Sequence, residues 1–319
     1  MPGPVRSGSL PGVAPPPALG AETLPDQVVD AYLVRLGVAR PPRPSLGALQ
    51  SLFAAHVDRV PYDNVDMHAG LPPHALDFAT EARRVAAGGR GGYCFTVVGA
   101  FAALLRSLEF RVSLHAAACG PDPMPAEKWG NHVVLLVHVD GSSYVADVGL
   151  GEGPTQVFPL EEGAWEDRGF RFMLERRPEG CWRWQNDAVH SGLPGMHFDT
   201  SSSAASCSEF WDYHEWYWTD ESSPYVRSGV VIHRHSPRGL LSLHSCTLRR
   251  THPDLPRGHE VVATVTTRGA WFELLEEVFS MPLADLRDGA RERLWARAWR
   301  DHAAWAERQG AGARQGGAE

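Results

Sequence analysis

The chain has 319 residues, a length that suggests roughly two domains, and its 43% hydrophobic and 21% charged residues are those of a globular protein. A formal net charge of −8 at pH 7 excludes a general nucleic-acid binder, which needs a basic surface. No apolar run reaches the roughly 18 residues that a membrane-spanning helix requires.

Residues 1–25 are rich in proline and lack the continuous apolar stretch of a signal peptide, so they are expected to form a disordered tail. Val28, Val29, Tyr32, Leu33 and Leu36 then recur at helical spacing, and Gly37 closes the segment. Ser45 suits the cap of a second helix carrying Leu46, Leu49, Leu52, Phe53, Val57 and Val60, which Pro61 ends. A helix is expected over 77–87, and Cys94, Val97, Val98, Phe101, Leu104, Leu105 and Leu108 mark another. Residues 26–109 therefore read as a helical unit.

The pattern changes at Phe110. Apolar runs at 110–118, 132–139, 144–149, 168–175 and 181–185 predict strands, as do those at 225–234, 239–248 and 259–266. The aromatic cluster Phe210, Trp211, Tyr213, Trp216, Tyr217 and Trp218 reads as packing. A helix is predicted over 268–280. A last one over 285–308 should bury a stripe of Trp295, Trp299, His302 and Trp305 on the body or on a second subunit, followed by a second disordered tail, GAGARQGGAE. The division is thus 26–109 helical, 110–207 β, 208–284 mixed and 285–319 helix and tail, an α+β layout.

The cysteines, Cys94, Cys119, Cys181, Cys207 and Cys246, show no repeated spacing and no CxxC, which points to a reducing cytoplasm rather than a disulfide framework. Cys94 stands out. Gly88, Gly89, Gly91 and Gly92 surround Arg90 and deliver the chain to a helix start, where N–H groups favour an anion. A thiol in that first turn is favoured as its reactive thiolate.

Catalysis by a thiol also needs a base. Val133 to Val139 reads as a buried strand, Asp140-Gly141 as a hairpin turn, and Tyr144 to Val148 as the returning strand. With a two-residue turn, Val139 faces Ser142, so His132 faces Gly149 and Val134 faces Asp147. His132 and Asp147 then share one face as diagonal neighbours. A carboxylate in an apolar strand needs a partner, and His132 is the nearest. Cys, His and Asp in this order form the thiol version of a catalytic triad. His233 and His235 alternate on a strand but lack a third metal ligand, and no metal site is expected.

RGGYCF at 90–95, NHVVLLV at 131–137 and YVADVGLG at 144–151 resemble the arylamine N-acetyltransferases. The spacings of 38 residues from Cys94 to His132 and 15 from His132 to Asp147 are similar to that family's triad. DAYLVRLGV at 30–38, VPYDNVD at 60–66 and SPYVRSGVV at 223–231 support the likeness, which spans about residues 26–283. The resemblance implies an N-terminal helical bundle, a central β-barrel and a C-terminal α/β lid, with a papain-like Cys-His-Asp triad. It implies acetyl-coenzyme A as co-substrate, no metal or prosthetic group, and an aromatic amine, hydrazine or N-hydroxyarylamine as small-molecule acceptor. Cys94 would be the nucleophile, His132 the general base and acid, and Asp147 its orienter. Tyr93, Leu150 and Tyr225 would line the acceptor pocket, and Trp129, Gly130, Gly149 and Gly151 the coenzyme cleft.

The chain departs from the family after the cysteine. FTVVGAF stands where the family commonly has FELNGLF, so Thr96 and Val98 replace an acid and an asparagine. Two other readings compete with the acetyltransferase: an amide synthase of the same fold that closes a macrocycle, and a catalytically silent binding paralogue. A homo-oligomer is left open.

Overall fold

Apolar residues at helical spacing build the first unit, in a computed structural model that describes residues 23–187, 191–201, 203–204, 207–281 and 283–315. The expected tail at 1–25 thus lies almost wholly outside the described residues. Helix α1 (Asp26–Leu36) buries Val29, Tyr32, Leu33 and Leu36 and stops at Gly37 in the left-handed conformation. Helix α2 (Leu46–Arg59) begins at Ser45, whose side chain accepts the Ala48 N–H at 3.2 Å. A two-residue strand β1 (Tyr62–Asp63) and a short helix α3 (Val65–His68) follow. Helix α4 (Phe78–Ala86) is capped by Asp77, which accepts the Ala79 and Thr80 N–H groups at 3.1 and 3.2 Å. Helix α5 (Cys94–Ser107) is buried on every side from Cys94 to Leu105. An all-round apolar helix of this kind belongs at the centre of a core.

The second unit is a curled antiparallel sheet. It holds β2 (Arg111–Cys119), β3 (His132–Val139), β4 (Ser142–Val145), β5 (Phe158–Pro159), β6 (Gly163–Asp167), β7 (Phe170–Arg176), β8 (Trp182–Gln185) and β9 (Gly195–Phe198), in the spatial order β5-β4-β3-β2-β9-β8-β7-β6. Among the described residues the end strands β5 and β6 are not paired, so the expected barrel is an open, curled sheet. Strand β5 is too short to close it, and Pro159 has no N–H to give. Trp165 instead stacks on Phe158 across the gap at 5.1 Å. One face of the sheet, with Val133, Leu135 and Val137, packs on the helical core; the other encloses Val134, Leu136, Phe172, Trp184 and Phe198.

After α6 (Trp211–Thr219) and α7 (Pro224–Arg227) comes a five-stranded sheet. Its strands β10 (Val231–Ser236), β11 (Gly239–His244), β12 (Thr247–Thr251) and β13 (His259–Thr264) are joined at one edge by β1 from the first unit. The strand expected from 225 starts only at Val231. Ser223 caps the intervening turn, accepting the Tyr225 N–H at 3.3 Å, with Pro224 in the first position that favours a helix. The run 239–248 splits at Ser245, where φ is +55°.

Helices α8 (Arg268–Phe279) and α9 (Asp288–Gln315) cover this sheet. Leu286, Ala290, Leu294 and Ala298 are buried with Val230, Ile232, Leu243, Trp271 and Leu275 in one core. On the body of the protein the expected tryptophan stripe is buried only in part, at Trp295 and His302. The buried line advances by four residues through 290, 294 and 298 to His302, leaving Trp299 and Trp305 exposed on its flank. The tail expected from 310 is also shorter, because α9 runs on to Gln315 despite Gly310 and Gly312. No helix among the described residues is long and apolar enough to cross a membrane.

Candidate active site

The glycine loop that delivers Cys94 is held from outside the helix. Asp63 Oδ2 accepts the Gly92 N–H at 2.9 Å, and the Asp63 N–H donates to the Gly92 carbonyl at 2.8 Å. Gly92 has φ +83°, a conformation that side-chain-bearing residues rarely adopt. Arg90 points away from the nucleophile. It donates to Asp66 Oδ1 and, through both Nη atoms, to Asp285 at 2.8 and 2.7 Å, tying the loop to the third unit.

Cys94 is the first residue of α5 and is 2% exposed. Thr96 donates its hydroxyl to the carbonyls of Tyr93 at 2.8 Å and Gly91 at 3.2 Å. Val98 packs on Gly149: a Cβ added there would lie 2.7 Å from Val98 Cγ2 and 3.1 Å from Cys94 Cα. Both departures from the family pattern therefore fill structural places, one closing the loop and the other setting the floor.

His132 Nε2 lies 2.7 Å from Asp147 Oδ2, both side chains buried. The hairpin register follows the two-residue count, with Val139 opposite Ser142 and Leu136 opposite Val145. Beyond Val145 the expected ladder ends. Asp147 leaves it to cap the turn Val148–Leu150, accepting the Gly149 N–H on Oδ1 at 2.8 Å. His132 therefore has no partner in β4; on its other side it pairs with Ala117 of β2, and Gly149 lies against Cys94. Burial opposes a charge on His132, but the Cys119 sulfur and the Asp147 carboxylate outweigh it and hold the imidazole pKa well above its usual range.

Aromatic side chains wall the thiol. Tyr225 Oη is 3.8 Å from Cys94 Sγ and is hydrogen-bonded to Tyr62 Oη. The Tyr93 ring, buried, stands 5.0 Å from the Tyr225 ring and 5.8 Å from that of Tyr217. Its hydroxyl meets His214 Nδ1 at 2.5 Å, while His214 Nε2 donates to the His74 carbonyl at 2.9 Å. Burial and the neighbouring His74 push His214 down to about 4, so it is neutral and accepts from Tyr93. Tyr217 donates to the Asn131 carbonyl at 2.6 Å.

Leu150 and Gly151 follow in the turn beside Asp147. Leu150 packs into the second unit's core, and a Cβ on Gly151 would lie 3.2 Å from the Tyr62 ring. Trp129 and Gly130 form the turn leading into β3. The Gly130 N–H donates to the Ala117 carbonyl at 3.0 Å, and Trp129 lines a cavity of about 510 Å³ with Met124, His197 and the carboxylates Asp122, Glu179 and Asp199. His233 and His235 are buried on one face of β10, and no metal-binding group of three or more side chains exists among the described residues.

Two neighbours of this site escape a reading of the sequence alone. Cys119 lies two residues beyond Ala117, the partner of His132, and so shares its sheet face. A connection of a dozen residues between β2 and β3 hides that register. Tyr62 was visible within VPYDNVD, but nothing local pairs it with a residue 163 positions away.

The model of the N-acetyltransferase family matches residues 45–287. The chain is 32% identical over 194 residues to the arylamine N-acetyltransferase of Mycobacterium tuberculosis, covering 55% of this chain and 68% of that one. It is 28% identical over 280 residues to the arylamine N-acetyltransferase / N-hydroxyarylamine O-acetyltransferase of Salmonella typhimurium, covering 82% and 92%. Among solved structures, the Nocardia farcinica arylamine N-acetyltransferase aligns with a TM-score of 0.71 at 26% identity, over 85% of this chain and 94% of its own length.

Proposed function

Because the chain belongs to the arylamine N-acetyltransferase family, and is an acyltransferase, we propose that it carries acetyl from acetyl-coenzyme A to an arylamine, arylhydrazine or N-hydroxyarylamine through an acetyl-Cys94 intermediate. The observation that carries the reading is the 2.7 Å contact of His132 with Asp147, whose turn sets Gly149 against Cys94 at a helix start.

The Cys94 thiolate attacks the thioester carbonyl, forming the new C–S bond. Collapse of the tetrahedral intermediate breaks the bond to coenzyme A, whose sulfur leaves with a proton from the His132 imidazolium. The acceptor nitrogen, or hydroxylamine oxygen, then attacks acetyl-Cys94. His132 takes the acceptor's proton, and the Cys94 thiolate departs. Asp147 holds the imidazole in place and stabilises its charged form throughout.

Tyr93, Leu150 and Tyr225 would face the acceptor, and the tyrosine rings suit stacking on an aromatic amine. Gly149 and Gly151 would let the thioester approach the backbone. Gly130 and Trp129 would meet the uncharged arm of the coenzyme, since carboxylates beside Trp129 repel phosphates. We place the reaction in the cytoplasm, in keeping with the free thiols of Cys94, Cys119, Cys181 and Cys246.

Initial rates at several fixed arylamine concentrations test the scheme. Parallel double-reciprocal lines against acetyl-coenzyme A are expected. Intersecting lines would mean that both substrates bind before transfer, and no turnover with free acetyl-coenzyme A would favour the macrocycle-forming amide synthase.

A further inference from the structure

The hydroxyls around Cys94 are not equivalent. Tyr93 is engaged with His214, and Tyr217 with the Asn131 carbonyl. Tyr225 Oη instead has Cys94 Sγ at 3.8 Å on one side and Tyr62 Oη on the other.

Both tyrosines are fixed. Tyr62 sits in β1, paired with His233 of β10. The Tyr225 ring lies 4.6 Å from that of Tyr217, and its carbonyl accepts from His68 Nε2 at 3.1 Å and Asn64 Nδ2 at 3.2 Å. Among the described residues, Cys94, Tyr62, Tyr93 and Tyr217 are the titratable groups around the Tyr225 ring and hydroxyl, and His68 meets only its backbone carbonyl. Burial first, then the charge of Cys94, raises the pKa of both Tyr62 and Tyr225, so each keeps its single proton. A thiolate can only accept. If Tyr225 donates to sulfur, its oxygen must be the acceptor for Tyr62.

We propose that Tyr62 and Tyr225 form a directional hydroxyl relay, Tyr62 to Tyr225 to Cys94 Sγ, that holds the nucleophile in its thiolate form. The inference rests on Cys94 being the nucleophile. Tyr225 touches the reacting atom and is a catalytic residue in this sense, whereas Tyr62 acts through it and is a positioning residue. Neither role would be served by a phenylalanine ring of the same shape.

The test is the pH dependence of Cys94 alkylation by iodoacetamide in the full chain, with the modified peptide identified by mass. Tyr225→Phe keeps the ring and removes the donor, so the profile should move up by about one pH unit, or roughly tenfold in rate at pH 7. Tyr62→Phe should move it the same way by less. Tyr217→Phe removes a hydroxyl of the same cluster that donates to the Asn131 carbonyl and not to sulfur, and its profile should stay with the wild type.

A Tyr225→Phe or Tyr62→Phe profile superimposed on the wild type would overturn the relay. So would an equal shift in Tyr217→Phe, which would mark a general packing effect. Alkylation needs no acetyl-coenzyme A. A chain that accepts no acetyl group would refute the proposed function and still report on this hydrogen bond.

Discussion

Asp63 and Gly92 grip each other in both directions, with the Asp63 N–H on the Gly92 carbonyl at 2.8 Å and the Gly92 N–H on Asp63 Oδ2 at 2.9 Å. The same carboxylate accepts the Val65 N–H on Oδ1 at 3.0 Å. Its neighbour Asn64 bonds the Gly229 carbonyl at 2.7 Å and the Val231 N–H at 2.8 Å. One tripeptide, Tyr62-Asp63-Asn64, thus ties the nucleophile loop to the third unit.

Asp63→Ala leaves two buried N–H groups without their acceptor, which should cost about 2 kcal/mol or more of stability. It should also slow acetylation of Cys94 by loosening the glycine loop. Chemical denaturation measures the first and single-turnover acetylation the second. An unchanged denaturation midpoint would remove Asp63 from this role.

Gly149→Ala places a methyl 2.7 Å from Val98 Cγ2 and 3.1 Å from Cys94 Cα. Overpacking of this kind costs about 1–3 kcal/mol, and here it would displace the nucleophile as well. Adding Val98→Ala makes room, so the double variant should recover much of the lost stability and activity. If the double variant behaves as the sum of the two single ones, the contact does not govern the site.

The pair His132 and Asp147 makes a pH prediction. The folded pKa of His132 lies above the unfolded value of about 6.5. The imidazolium therefore adds stability that is complete below about pH 6.5 and is lost as pH rises through the folded value. Thermal midpoints should fall over that upper range in the wild type, and this part of the fall should be missing in His132→Gln. Identical slopes would contradict a raised pKa. Asp147→Asn removes the orienting charge, and should lower acetyl transfer by at least about a hundredfold with the fold kept.

The C-terminal helix supplies another test. Deleting 310–319 leaves Leu286, Ala290, Leu294 and Ala298 in place, and the melting temperature should not change. Deleting 285–319 removes all four from a core shared with Trp271 and Leu275, and also removes Asp285 from Arg90. The longer truncation should melt markedly lower. Equal melting temperatures would show that α9 does not hold the third unit together.

Local signals were readable where the structure is local. Ser45 and Asp77 sit at the caps of α2 and α4, and β3 spans His132–Val139 as its apolar run predicts. The closeness of His132 and Asp147 could be counted along a hairpin, although Asp147 arrives there by capping a turn after the ladder has ended. Long-range pairing left no such trace. Tyr62 meets Tyr225 because β1 joins a sheet formed by residues beyond 230, and Cys119 nears His132 through the β2 register. The tryptophans of α9 misled because they outweigh alanine in an apolar pattern, whereas the tight core there admits Ala290 and Ala298.

The most direct measurement is a single-turnover mixture of the full chain with acetyl-coenzyme A, followed by peptide mapping by mass. The account predicts one acetyl group on Cys94, absent in Cys94→Ala and discharged when an arylamine is added. A Cys94 that stays unmodified across a range of acyl-coenzyme A donors, while the protein is folded, would contradict it and leave the amide synthase or the silent paralogue in its place.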